Sequence, residues 1–129
     1  MKIRKYVPAG KMFVLIDTKT GLGFNMWNDF KGIETRETGI KDLNDLSIFI
    51  GDIISDGNNI YVVEESVESL KTCIRNIDNK SDVATIPRKN GLFTVIGNIF
   101  ELHLLSDNIR KRIESWAKEY NIHQQYYYL

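Results

Sequence analysis

The apolar residues of this chain come in short runs, several of them closed by Gly, Asn, Asp or Pro. Punctuation of that kind belongs to a chain that reverses often. The longest stretches, around Leu46–Ile54 and Leu92–Leu105, are cut by Gly, Asp, Asn, Glu or His. A membrane-crossing helix needs about 20 mostly apolar residues, so none is expected here. The N-terminal cations Lys2, Arg4 and Lys5 precede only the short run Met12–Ile16, too brief for a secretory leader. With a single cysteine, Cys73, the expected location is the cytoplasm. At 129 residues the chain is expected to form one domain spanning 1–129, large enough to fold without disulfide or metal.

Local pattern predicts the elements. Ile3–Val7 and Met12–Ile16 read as strands, and Leu22–Trp27 as a third that closes a hairpin through Gly21. Gly32–Glu37 reads as a further strand. Over Asp42–Ser55 the period changes: Leu43, Leu46, Ile50, Ile53 and Ile54 recur at helical spacing, with Asp42 as N-cap and Gly57 as the closing residue. A buried strand over Leu46–Ile54 competes with that helix, and Gly51 weakens both readings. Ile60–Glu64 is a compact strand. Ser66 would cap a second helix with Val67, Leu70, Ile74 and Ile77 on one face.

Val83–Ile86 reads as a strand, and Asn90-Gly91 as the strongest hairpin turn in the chain. Leu92–Ile96 and Ile99–Leu105 would pair around Gly97-Asn98. A last helix follows Ser106 or Asp107, with Ile109, Ile113, Trp116, Ala117 and Tyr120 buried. Residues 124–129, which include Tyr126, Tyr127 and Tyr128, are expected to be a flexible or docking tail. The expected fold is α+β: a single domain with a mostly antiparallel sheet and about three helices packed on it.

Charge excludes some partners. The 17 Lys+Arg and 17 Asp+Glu sum to zero, without the basic excess of a nucleic-acid binder. No phosphate-binding or hydrolase motif is present: Gly21-Leu22-Gly23 lacks the third glycine and a following helix. His103, His123 and Cys73 are too scattered for zinc, and Glu64 and Glu65 point to opposite faces of a strand, so no metal or cofactor is expected. Cys73 reads as a small half-buried hydrophobe. Arg110, Lys111 and Arg112 fall on the outer face of the last helix. One pair suggests acid–base chemistry: in a strand Phe100–Leu104, Glu101 and His103 would share a face, where a carboxylate raises an imidazole pKa. That is the basis of an alternative reading as a small enzyme or ligand-binding domain.

The zero sum hides a partition. From Asp42 to Leu70 there are seven acids and no Lys or Arg, while residues 1–16 hold Lys2, Arg4, Lys5 and Lys11 and no acid. Either the acids form a negative face that steers a positive partner, or they pair internally with the basic N-terminal strands. A compact domain with such an acidic block, in a chain rich in Lys, Asn and Ile, resembles the small immunity proteins of bacterial toxin systems, including those of contact-dependent growth inhibition. That resemblance implies a non-catalytic protein that neutralises a cognate, basic nuclease toxin, with acids standing in for phosphates. The partner-binding residues would be Asp45, Asp52, Asp56, Glu64, Glu65 and Glu68, with Tyr61 as an anchor. A phage or plasmid accessory protein acting on a host target is a third reading.

Overall fold

The computed structural model describes residues 2–7, 12–17, 33–66 and 71–117. Strands β1 (Lys2–Val7), β2 (Met12–Asp17), β3 (Ile33–Lys41) and β4 (Ser47–Phe49) form one antiparallel sheet in the order β2-β1-β3-β4. Strands β5 (Asp52–Ser55), β6 (Ile60–Glu65), β7 (Thr72–Asn76), β8 (Val83–Thr85) and β9 (Thr94–Asn98) form a second, in the order β8-β7-β6-β5-β9. Its pairings are antiparallel too. A one-turn 3-10 helix, Leu102–Leu104, precedes α1 (Asp107–Ala117).

The centre of the second sheet is buried on both faces. Neighbouring residues of a strand point to opposite faces, yet Ile53 and Ile54 are both fully buried, as are Val62 and Val63. On one side Ile53 and Val62 pack with Tyr6, Phe100, Leu105 and Ile113, so β1 and α1 cover that face. On the other, Ile54, Val63 and Ile74 pack with Ile40, Ile48, Ile86 and Phe93. Two cores therefore flank one sheet, and apolar side chains are needed at consecutive positions.

The double burial corrects the expected α+β fold with three helices. The described chain is mostly antiparallel β, with one α-helix, α1, where the last helix was expected. The helix expected over Asp42–Ser55 is a turn followed by β4 and β5. Its supposed single face is dispersed: Leu43 and Leu46 are exposed, Ile50 and Ile54 lie in one core and Ile53 in the other. The competing strand over Leu46–Ile54 is nearer, broken at Gly51 into two short strands of different sheets. Gly51 has φ +93°, and a Cβ there would lie 2.8 Å from the Phe100 ring. Only glycine makes that passage without strain.

The helix expected after Ser66 is β7 in its described part. Thr72, Ile74 and Asn76 are buried and alternate with half-buried Cys73 and Arg75. Ile74 and Ile77, expected on one helical face, belong to different cores. Val67, Glu68 and Leu70 lie outside the described residues, as do Leu22–Trp27, Tyr120, His123 and the tail 124–129.

Asn90-Gly91 does not close a hairpin between consecutive strands. β8 pairs with β7, whereas β9 pairs with β5. The dipeptide holds its loop to the end of β3 instead: the Lys41 N–H donates to Asn90 Oδ1 at 2.8 Å, and the Gly91 N–H to the Lys41 carbonyl at 3.0 Å. Asp56–Asn59, read as a helix stop, is the β5–β6 turn, in which Asp56 Oδ1 accepts the Asn58 and Asn59 N–H groups. The strand expected over Ile99–Leu105 is a turn and the 3-10 helix, because Asn98 Oδ1 accepts the N–H groups of Phe100 and Glu101.

Candidate functional site

Four acids of the central run lie against cations, three of them supplied from elsewhere in the fold. Asp52 at the start of β5 is buried and accepts from Arg4 Nη2 at 2.6 Å and from the Phe49 N–H at 2.7 Å. Burial pushes the Asp52 carboxyl above its usual range, against the opposing pull of the Arg4 charge and these bonds. Arg75 Nε donates to Glu64 at 2.7 Å across the β6–β7 pair, and Arg36 Nε donates to Glu65 at 2.7 Å. Lys41 Nζ lies 3.6 Å from Asp45. Of the pairing expected with the basic N-terminal strands, one case is seen among these acids, Asp52 with Arg4; Glu64, Glu65 and Asp45 meet cations of β7 and β3 instead. Glu68 lies outside the described residues.

Asp42, Asp45 and Asp56 build turns. Asp42 is buried; Oδ1 accepts the Asn44 and Leu46 N–H groups at 2.8 and 2.9 Å, and Oδ2 accepts that of Val95 at 3.1 Å. Burial opposes ionisation, but the three N–H groups outweigh it and hold the carboxyl below its ordinary value. Asp45 adopts φ 64°, in the left-handed region that Asp tolerates. Its side chain is 85% exposed. Asp56 is exposed, with its pKa lowered by the Asn59 and Asn58 N–H groups. Tyr61 is half-buried, edge-on to Phe93, and its hydroxyl reaches Asp56 Oδ2 at 3.4 Å. Burial and then the Asp56 charge raise the Tyr61 pKa.

A groove opens where the two sheets meet. Its volume is about 410 Å³, within the range of ligand-binding clefts. Lys2 and Arg4 of β1 and Lys41 of β3 supply cations, with Asp45 and Asp52 beside them. Phe49, Val95, Leu15 and Leu46 supply apolar lining. Arg4 is fixed in this wall: Nε donates to Thr35 Oγ1 at 3.2 Å, Nη2 reaches Asp52 and the Ile50 carbonyl, and the guanidinium lies over the rings of Phe13 and Phe49. Leu15 is 50% exposed and Leu46 55%, and Leu43, on the same turn as Leu46, is 67% exposed. Sequence reasoning assigned Leu43 and Leu46 to a buried helical face and treated Lys2 and Arg4 only as a charge flank. The charge partition was the signal available for Arg4. For the leucines there was none, because periodicity does not show that a turn turns outward.

The Glu101–His103 pair is not formed as expected. Without a strand there, alternation cannot place the two on one face. Glu101 accepts from Asn98 Nδ2 at 2.9 Å ahead of the 3-10 helix, and His103 is exposed on it. Neither lines the groove. Cys73 is half-buried, as expected of a small hydrophobe. Among the described residues, no three His, Cys, Asp or Glu side chains gather as a metal-binding group, and no helix is long and apolar enough to cross a membrane.

Residues 11–105 match a protein family described as YopX protein. No curated protein matches the chain.

Proposed function

The chain belongs to the YopX protein family, and for this member we propose a role in binding another protein rather than in catalysis, through the groove between the sheets and its leucine rim. One contrast carries the reading. Asp52, Glu64 and Glu65 are spent on Arg4, Arg75 and Arg36, whereas Leu15 and Leu46 stand exposed in the groove with Lys2 and Lys41. Singly exposed leucines are ordinary, but an apolar group with a charged rim around a cleft is the composition of a protein contact. The same reading places the protein in the cytoplasm, where its one cysteine stays reduced.

The test is selective capture from an extract of the native cells by the immobilised chain. A partner retained by the wild type should be lost with Leu46→Glu and kept when Glu65 is changed to Gln. Retention that survives Leu46→Glu would remove the groove from the interface.

Neutralisation of a toxin is a second reading, supported by Asp56, an exposed acid at the tip of the β5–β6 hairpin with Tyr61 beside it. Reversing Asp52 or Glu64 would break folding contacts, so Asp56→Lys is the informative change. It should weaken capture of a basic partner under this reading. Equal capture would end it.

A further inference from the structure

We infer that the groove receives an acidic segment of the partner protein, whose carboxylate takes the place beside Lys41 that Asp45 now holds. The inference rests on the protein-binding reading above and names what the partner presents. Three cations and two acids line the groove. Arg4 and Asp52 neutralise each other in the wall and are held there by Thr35, Ile50, Phe49 and the flanking rings. Lys2, Lys41 and Asp45 are the charges left to respond to a ligand.

Asp45 is the chain's own stand-in for such a ligand. It is an exposed carboxylate on a left-handed turn residue, 3.6 Å from Lys41 Nζ at the groove. An ion pair that open to water is weak and easily exchanged. An incoming carboxylate that displaces Asp45 gains Lys41 and, from the neighbouring strand, Lys2. Its apolar neighbours gain Leu15, Leu46, Phe49 and Val95, burying surface that is now wet. Those apolar walls and the small cationic surplus favour a peptide over a nucleic acid, which draws on many cations at once.

The full chain, labelled with nitrogen-15, is titrated with a blocked peptide, Leu-Glu-Leu-Glu-Leu, and with its Leu-Gln-Leu-Gln-Leu counterpart. The glutamate peptide should shift the amides of Leu46, Ser47, Gly97 and Asn98, and the glutamine peptide should bind more weakly. Asp45→Asn, which keeps a residue tolerant of φ > 0, should tighten the glutamate peptide by about two- to five-fold, the range of an exposed ion pair. Lys41→Gln should weaken it. Equal binding of the two peptides, weaker binding by Asp45→Asn, or displacement of the peptide by a single-stranded oligonucleotide would overturn the inference. If the glutamate peptide fails to bind while partner capture still depends on Leu46, the inference falls and the protein-binding reading stands. If capture ignores Leu46, that reading is the one that falls.

Discussion

Arg4 and Asp52 lie 48 positions apart and meet at 2.6 Å, tying the first strand of one sheet to the first strand of the other. The guanidinium centre sits 4.7 Å from the Phe13 ring and 4.6 Å from the Phe49 ring, so both charges are withdrawn from water together. Removing one partner strands the other. Arg4→Met should cost about 3–5 kcal/mol of stability. Arg4→Met with Asp52→Leu should recover part of that loss, because an apolar pair removes the stranded charge but leaves the Phe49 N–H without its acceptor. Urea denaturation of the two single variants and the double measures this, and simple additivity of the losses would contradict it.

Gly51 is the passage between the sheets. Gly51→Ala must hold φ +93° and push its Cβ against Phe100. Roughly 1–3 kcal/mol of overpacking cost is expected in addition to the backbone strain. Gly57→Ala also has positive φ, +97°, but meets nothing within 4 Å, so it should lose only the backbone share. Thermal midpoints should rank wild type, Gly57→Ala, then Gly51→Ala.

Acid should destabilise the fold through Asp42. Its folded pKa is lowered, so its contribution is fully present above the unfolded value of about 3.9 and is lost as the pH falls through the lower folded value. Asp56, held by the Asn59 and Asn58 N–H groups, and Asp78, held by Arg112, have the same sign. Asp52 has the opposite sign: its folded pKa is raised, so its contribution is fully present below the unfolded value and lost as the pH rises through the folded one. Stability followed from pH 6 to pH 2, as approximate bounds of that window, should therefore decline below about pH 4. Asp42→Asn should start less stable and decline less steeply. An unchanged slope would show that Asp42 is not the group responsible.

The helix is held by packing more than by charge. Ile113 is fully buried against the β5–β6 face, and Ile113→Ala should cost about 2–5 kcal/mol. Arg112 donates to Asp78 from the same helix, but both are substantially exposed. Asp78→Asn should therefore cost under about 1 kcal/mol. Chemical denaturation of the two variants measures the contrast.

What could be read in the sequence followed from how each segment is covered. β1, β2, β6 and β8 were legible because β-branched and aromatic runs ended at turn residues. The last helix was legible because α1 has one wet face, and a 3.6-residue period survives. β5 lost its signal because the sheet is covered on both sides: Ile53 and Ile54 must both be apolar, and alternation disappears. Around β7, Ile74 and Ile77 imitated a helical spacing while serving separate cores. Asn90-Gly91 specified a tight turn correctly, but a turn does not specify which strands pair. The charge partition drew attention to Asp52, as a partner-binding acid, and to the basic first strand, as a flank. It could not show that their shared role is to join two sheets, nor that Leu15 and Leu46 would rim a groove beside them.

The affinity of the captured partner for two variants separates the groove from the acidic run. Leu46→Glu should weaken binding by about 30-fold or more, because it puts a charge on an apolar contact of the proposed interface, with the fold intact by circular dichroism. Glu65→Gln, which removes only an acid already paired with Arg36, should leave the affinity within about three-fold. The reverse order, with Leu46→Glu neutral and Glu65→Gln severe, would contradict the proposed binding surface and return the interface to the acids.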